Sequence, residues 1–231
     1  MREILIGDVH GCLTELQQLI DALEPTYDDH VVFLGDLMDK GDATIGTIRY
    51  VMTLHQRTNV TVIKGNHEDA HIQYWNGGNR DHFCADEMAR VEKILTQDEK
   101  DWIQNLPLAY RLTGGDLVVH GGIPVHMTTD PVFMKPDDAR DVLRCRYLNP
   151  ETFRMLPWND YRKDKVFWAE LYDGRFGHVW FGHEIHKKPT GYRHATCIDT
   201  GCYKGGNLTA VVIRGGKKTF VATMAGAMGA Q

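Results

Sequence analysis

The hydrophobic positions of the first 65 residues follow two different periods. EILIG (3–7), VVFLG (31–35) and VTVIKG (60–65) are short apolar runs, each ending at a glycine. Between them, CLTELQQLIDAL (12–23) sets Leu13, Leu16, Leu19, Ile20 and Leu23 at helical spacing, and ATIGTIRYVMTLH (43–55) is a second amphipathic stretch. Apolar residues recurring every three or four positions bury one face of a helix, whereas a short apolar run bounded by turn residues suits a strand. The strand–helix–strand–helix–strand rhythm predicts an α/β core.

From about Asp69 to Leu106 the pattern is mainly helical. TQDEKDWIQNL offers Thr96 as an N-cap with acidic residues in the first turn, and Pro107 is a stop. LAYRL, DLVVHGG, HVWFGH, ATCIDTG, LTAVVIRG and KTFVATM are short, β-rich and separated by glycine-bearing turns. Segment 124–163 carries five of the eight prolines, which predicts loops around one short helix near 137–145. Asp42 is expected to cap the helix that begins near Ala43. A single domain spanning 1–224 is expected, with 225–231, small and repetitive, as a flexible tail.

Composition narrows the class. With 42% hydrophobic and 25% charged residues, the chain has the make-up of a globular protein that buries a sizeable core. A net charge of −5 with scattered Lys and Arg gives no basis for general nucleic-acid binding. No run reaches membrane-spanning length and the N-terminus enters a strand pattern at once, so a cytoplasmic protein without membrane association is expected. Five cysteines without CxxC spacing read as small buried hydrophobes rather than a disulfide framework or a thiolate zinc site. Twelve histidines are the unusual count.

Those histidines fall into a pattern. Five apolar runs end in a glycine turn bearing His, Asp or Asn: ILIGDVHG, VFLGDLMDKG, VIKGNHED, LVVHGG and VWFGHEIH. Ligands collect where the strands of an α/β sheet open into loops, so ends distant in sequence can converge on one site. The donors supplied are Asp8, His10, Asp36, Asn66, His120 and His183, all oxygen or imidazole nitrogen. Such a set suits hard or borderline divalent cations, and six donors fit two ions sharing a carboxylate better than one. Any one of these residues alone is more often a turn, a cap or a satisfied histidine; the ordered series is what points to chemistry.

GDVHG, GDLMDKG, GNHE, HGG and GH, in that order, resemble the signature blocks of the calcineurin-like metallophosphoesterases, in the phosphoprotein-phosphatase branch that includes lambda-type protein phosphatases and symmetrical diadenosine-tetraphosphatases. DTGCYKGGNLTAVVI (199–213) resembles the closing strand region of the lambda-like members. The resemblance implies a four-layer αββα sandwich of two mixed β-sheets and a hydrolase holding two divalent ions, expected to be Mn²⁺ with Fe²⁺, Zn²⁺ and Ni²⁺ as alternatives. It implies that Asp8 and His10 hold the first ion, that Asp36 bridges, and that Asn66, His120 and His183 complete the second. His67 then protonates the leaving group, oriented by Asp39. The expected reaction is direct attack on phosphorus by a metal-bridging hydroxide, without a phosphoenzyme.

The chain departs from the family in GDLMDKG, where Lys40 stands in place of the usual arginine and keeps its charge but not its planar fork. Phosphate contacts are expected from Lys40, from Arg146 or Arg144 in VLRCRYL, with Arg146 preferred, and from Tyr203. GNHE, rather than GNHD, is more like the protein-phosphatase members, and Glu68 has no assigned role. The expected function is therefore a Ser/Thr-type phosphatase or phosphomonoesterase acting on phosphorylated protein. Its alternative is hydrolysis of a nucleotide substrate, a bis(5'-nucleosyl) tetraphosphate or a capped-RNA-like pyrophosphate, and a non-catalytic phosphate-binding metal module is less favoured. The cluster Phe167, Trp168, Leu171, Tyr172 and Phe176 reads as core rather than as a base-stacking platform. His178, His186 and His194 are left out of the ligand set.

Overall fold

The computed structural model describes residues 1–78, 84–135 and 140–223. The expected tail 225–231 and the start of the helix expected at 137–145 lie outside them. The first half follows its apolar periods closely: β1 (Glu3–Ile6), α1 (Leu13–Leu23), β2 (His30–Phe33), α2 (Thr44–Leu54) and β3 (Asn59–Val62). Leu16, Leu19, Ile20 and Leu23 are the buried face of α1, as their spacing requires.

Three helices follow, α3 (Asn66–Trp75), α4 (Ala85–Ile94) and α5 (Gln97–Gln104). Thr96 caps α5 in a capping box with Glu99. The second half contains β4 (Ala109–Arg111), β5 (Leu117–Val119), α6 (Arg140–Arg144), β6 (Tyr147–Leu148), β7 (Val166–Phe167), α7 (Trp168–Leu171), β8 (Val179–Phe181), β9 (Thr190–Gly191), β10 (Ala195–Cys197), β11 (Leu208–Arg214) and β12 (Lys217–Thr223).

The strands form two mixed five-stranded sheets, ordered β12-β11-β1-β2-β3 and β4-β5-β8-β10-β9, and a small β6-β7 ribbon. In the first sheet β1, β2 and β3 are parallel while β11 and β12 run antiparallel. In the second, β5, β8 and β10 are parallel and β4 and β9 antiparallel. Leu5, Val32, Leu34, Ile63, Val118, Trp180 and Ile198 fill the space between the sheets. A second cluster joins the outer face of the first sheet to α1 and α2, and a third covers the second sheet with Trp168, Leu143 and their neighbours. The result is the expected four-layer αββα sandwich. Strands buried on both faces explain why their sequences are continuous apolar runs rather than alternations.

Two expectations need correction. Asp42 does not cap α2: Ala43 occupies the N-cap position without a side-chain hydrogen bond, and Asp42 is exposed. The hydroxyl of Thr44, the next residue, instead accepts the backbone N–H of Asp39. In segment 124–163, α6 is present at Arg140–Arg144, but the β6-β7 ribbon was not foreseen. The aromatic cluster is core as expected at Phe167, Trp168 and Tyr172, while Leu171 is partly exposed. Cys145, Cys197 and Cys202 are buried; Cys12 and Cys84 are half-buried. No helix among the described residues is long and apolar enough to cross a membrane.

Candidate active site

The loops that leave β1 and β2 are joined backbone to backbone. Val9 and His10 donate their N–H groups to Asp36 O at 3.1 and 2.8 Å, Gly11 donates to Leu37 O, and Gly41 donates to His10 O. Among the described residues seven non-glycine positions take left-handed φ, and five of them, His10, Asp36, Asp39, Lys40 and His183, lie in these motif loops. Each costs of order 1–3 kcal/mol and persists only where surrounding bonds hold it. Glycine permits the close approach that follows: a Cβ on Gly182 would sit 1.9 Å from Asp8 Oδ1, and one on Gly65 2.2 Å from Asp36 Oδ1.

Asp36 is the centre of the arrangement. Its Oδ2 lies 3.4 Å from His10 Nε2 and 3.4 Å from His120 Nε2. Two groups of ligand-type atoms, His10 with Asp36 and His67, and Asp36 with His120 and His183, each fall within 4.8 Å and share Asp36. Both flanking imidazoles are held through their other nitrogen, His10 Nδ1 by Met38 O and His120 Nδ1 by Leu34 O, each at 2.8 Å. A ring donating from Nδ1 to a carbonyl presents the Nε2 lone pair, the tautomer a metal ligand needs. His120 Nε2 also meets Asn66 Oδ1 at 2.9 Å. Burial lowers the His10 pKa to about 4 and pushes that of His183 well down, with Arg146 adding to the second effect.

Asp8 is buried, and its Oδ2 accepts the His183 N–H at 3.0 Å while its Oδ1 has no hydrogen-bond partner across the described residues. Burial raises its pKa well above the usual carboxylate value, and Asp199 and Asp36 raise it further. Four carboxylates, Asp8, Asp36, Glu68 and Asp199, are thus buried together. An orphaned carboxylate oxygen in an oxygen and imidazole donor set, with an excess of buried negative charge, fits divalent cations.

The helix that carries GNHE supplies the rest. His67 N, at its N-terminus, donates to Asp36 Oδ1 at 2.9 Å, and His67 Nδ1 lies 2.6 Å from Asp39 Oδ2. Burial alone would lower the His67 pKa, but Asp36 and the Asp39 hydrogen bond outweigh it and hold the imidazolium above its ordinary range. Burial likewise works against the Asp39 carboxylate, and the bonds from His67 and His71 win and pull its pKa below the usual value. Glu68 receives three backbone donors, Asp36 N and Gly65 N on Oε2 and Leu37 N on Oε1. Its carboxylate locks the loops and faces no open space.

The phosphate-contact candidates separate. Lys40 is exposed with Nζ 5.3 Å from the Tyr203 ring centroid, and that ring stands edge-on to His10 at 4.8 Å. Arg146 donates to His183 O at 2.7 Å and pairs with Glu184 at 3.1 Å. Arg144 is engaged by Asp69 of α3 at 2.9 Å. His178 meets Thr196, and neither His186 nor His194 joins the ligand-type groups around Asp36.

Two residues were missed in the sequence. His71, fully buried, lies 2.8 Å from Asp39 Oδ1, so Asp39 is divided between two histidines one helical turn apart. Asp199, also buried, accepts the Gly201 N–H at 2.9 Å, and burial raises its pKa to about 6. The spacing of His67 and His71 was readable, and ATCIDTG is a sixth apolar run ending in a glycine turn with a carboxylate.

Fold and site together define a two-sheet αββα scaffold whose strand ends gather His and Asp groups that could hold metal ions. The model of the calcineurin-like phosphoesterase family matches residues 1–208, and the chain belongs to that family. It is 30% identical over 225 residues to the asymmetrical bis(5'-nucleosyl)-tetraphosphatase PrpE of Bacillus subtilis (strain 168), covering 89% of this chain and 88% of that one. A symmetrical bis(5'-nucleosyl)-tetraphosphatase of Burkholderia pseudomallei (strain 668) is 29% identical over 158 residues, 68% of this chain and 54% of its own. Among solved structures, a putative diadenosine tetraphosphatase superposes with a TM-score of 0.77 at 24% identity over 97% of this chain and 95% of that one. A protein serine/threonine phosphatase from Saccharomyces cerevisiae superposes at 0.63 and 15% identity over 97% and 80%. The chain is accordingly a phosphoric ester hydrolase of the metallophosphoesterase type.

Proposed function

We propose that the chain hydrolyses bis(5'-nucleosyl) tetraphosphates, the alternative in the sequence reading, rather than phosphoproteins. The observation that carries this is similarity to asymmetrical tetraphosphatases along 88% of their length. The GNHE block that favoured a phosphatase loses its force, because Glu68 is buried and occupied by three backbone N–H groups.

Asp8, His10, Asp36, Asn66, His120 and His183 would hold two divalent cations, with Asp36 between them. When bound, such ions neutralise phosphate oxygens and lower the pKa of water towards neutrality. His67, held by Asp39, stores a proton for the departing phosphate oxygen. Lys40, Arg146 and Tyr203 flank this floor and would steer the remaining phosphates.

Product analysis tests the reading. Incubated with Mn²⁺, diadenosine tetraphosphate should yield ATP and AMP, the outcome of an off-centre cut; two ADP would indicate a central cut. Phosphopeptides cleaved with a higher kcat/KM than the dinucleotide would restore the phosphatase reading.

A further inference from the structure

Two aromatic residues that belong to none of the hydrophobic clusters stand in the open. Trp158 and Tyr161 are 85% and 86% exposed, far more than the aromatic side chains of α7 and β7. Exposed aromatics grouped on one loop mark an interaction site more often than chance.

Their place follows from strand direction. Leu148 bridges Met155 in antiparallel fashion, and Leu156 N donates to Tyr147 O at 2.9 Å. The chain leaving Leu156 therefore runs back past the Tyr147 end of β6, where Arg146 meets His183 O at 2.7 Å. Trp158 follows Leu156 by two residues, at most about 7 Å of extended chain. The turn that holds it, closed by Asp160 N on Pro157 O at 3.0 Å, is strapped down by Lys165. Lys165 Nζ donates to Asp160 O at 3.3 Å and lies 4.2 Å from the Tyr147 ring centroid. Tyr147 OH in turn donates to Glu184, the neighbour of His183, at 3.2 Å. The turn is thus tied, contact by contact, to the Arg146 side of the cation floor.

Its charge suits a polyphosphate nucleotide. Residues 153–165 contain Arg154, Arg162, Lys163 and Lys165 against Asp160 and Asp164, in a chain whose net charge is −5. Phe153 at the preceding turn holds a left-handed φ of 53° and is also exposed. Aromatic faces interleaved with cations are the usual means of holding a base and its phosphates together.

We propose that Trp158 and Tyr161 form a stacking platform for one nucleobase of a dinucleoside polyphosphate whose phosphate chain crosses the Asp36 floor. The proposal deepens the tetraphosphatase reading and rests on it. Base stacking accepts any base, so the platform confers preference for nucleotides over bare polyphosphate rather than for one base.

The test compares kcat/KM for diadenosine tetraphosphate with that for inorganic tripolyphosphate, which has no base, in the full chain with Mn²⁺. In Trp158→Ala the ratio of the two should fall about ten-fold, the factor one stacked base commonly supplies. In Tyr161→Ala it should fall by a smaller factor, and Trp158→Phe and Tyr161→Phe should keep most of it. An unchanged ratio in the double alanine variant overturns the platform, as does an equal loss on both substrates. Titration with adenosine 5'-monophosphate, followed by tryptophan fluorescence, supplies an arm that needs no turnover. Quenching that disappears in Trp158→Phe supports the platform; absence of quenching, or quenching that survives in the variant, rejects it. Failure of the unaltered protein to cleave the dinucleotide would instead sink the tetraphosphatase reading, and the fluorescence arm would decide the platform alone.

Discussion

The two ends of the first sheet treat an aspartate in opposite ways. At the entry end, Asp29 sits just before β2 and is fully served by the protein. Arg2 donates from Nε and a terminal nitrogen at 3.0 and 2.6 Å, and Arg2 N and Thr26 N add two amides. The Arg2 hydrogen bond, opposed by burial, holds its pKa below the usual carboxylate range. At the exit end of β1, Asp8 is buried with one oxygen unpaired, and burial drives its pKa well up. The same residue type is completed by arginine at one end and left short of positive charge at the other. A strand end that leaves Asp8 Oδ1 unpaired among buried carboxylates, with the Nε2 atoms of His10 and His120 both 3.4 Å from Asp36, is built for something that arrives later.

The sharpest way to break this comparison is to remove the shared carboxylate. Asp36→Asn should lower kcat/KM by more than the roughly 100-fold that losing an outer partner of a metal ligand costs, and calorimetric titration with Mn²⁺ should show metal affinity lost with it. Unaltered metal binding would show that Asp36 does not join the two halves of the floor.

His67→Gln comes next, with a loss of about 10²–10⁴-fold on an alkyl phosphate such as glycerol 2-phosphate, whose alkoxide is a poor leaving group, the range for a positioned general acid. The deficit should shrink for p-nitrophenyl phosphate, whose leaving group needs no proton. Equal losses on both substrates would remove His67 from proton transfer. His71→Phe, which leaves Asp39 with one histidine, should cost about ten-fold, while His71→Gln, able to donate to Asp39 Oδ1, should recover part of it. Identical rates in the two His71 variants would make the residue packing alone.

At the edge of the floor the effect depends on charge more than on shape. Lys40→Ala should raise KM for a phosphate substrate about ten-fold, the worth of one hydrogen bond to a charged group, and Lys40→Arg should match or exceed the native residue because its fork suits phosphate. An inert Lys40→Ala would move the contact to Arg146, which already touches the His183 loop.

The floor was readable in the sequence because its chemistry leaves few choices. A carboxylate or imidazole at a strand end, followed by a glycine that permits an approach such as Gly182 to Asp8, is a pattern of residue type and position together. The roles rest on proposal, but the convergence of Asp8, His10, Asp36, Asn66, His120 and His183 is visible in the fold. His71 escaped because a histidine inside a helix has no turn beside it to mark it, and only its four-residue offset from His67 carried a signal. Asp42 misled because Asp before a helix usually caps, whereas here α2 starts at Thr44, whose hydroxyl serves Asp39. The β6-β7 ribbon is two residues per strand, too short to show a period, and Arg144 and Arg146 differ only in what the ribbon lets them reach.

The smallest effects are thermal, and they carry the comparison back to its two aspartates with opposite signs. Asp29 has a folded pKa below its ordinary value of 3.8. Its stabilisation is therefore present above that value and lost as pH falls through the folded pKa. Asp29→Asn should lower Tm at neutral pH by about 2–4 °C, since a pair whose arginine is partly exposed to solvent is worth about 1 kcal/mol. Asp8 has a folded pKa above 3.8. Its ionised form costs stability above the folded pKa, and the cost vanishes below 3.8. In metal-free protein Asp8→Asn should therefore raise Tm at neutral pH, because the amide oxygen can still accept the His183 N–H while the buried charge is gone. The Asp8 difference should vanish as pH falls to 3.8, and the Asp29 difference should shrink only below 3.8. Added Mn²⁺ should raise Tm of the unaltered chain and leave Asp8→Asn behind, reversing the order of the two proteins. If Asp8→Asn instead destabilises the metal-free protein as Asp29→Asn does, the two ends of the sheet are electrostatically alike and the exit end holds no reserve of negative charge for a cation.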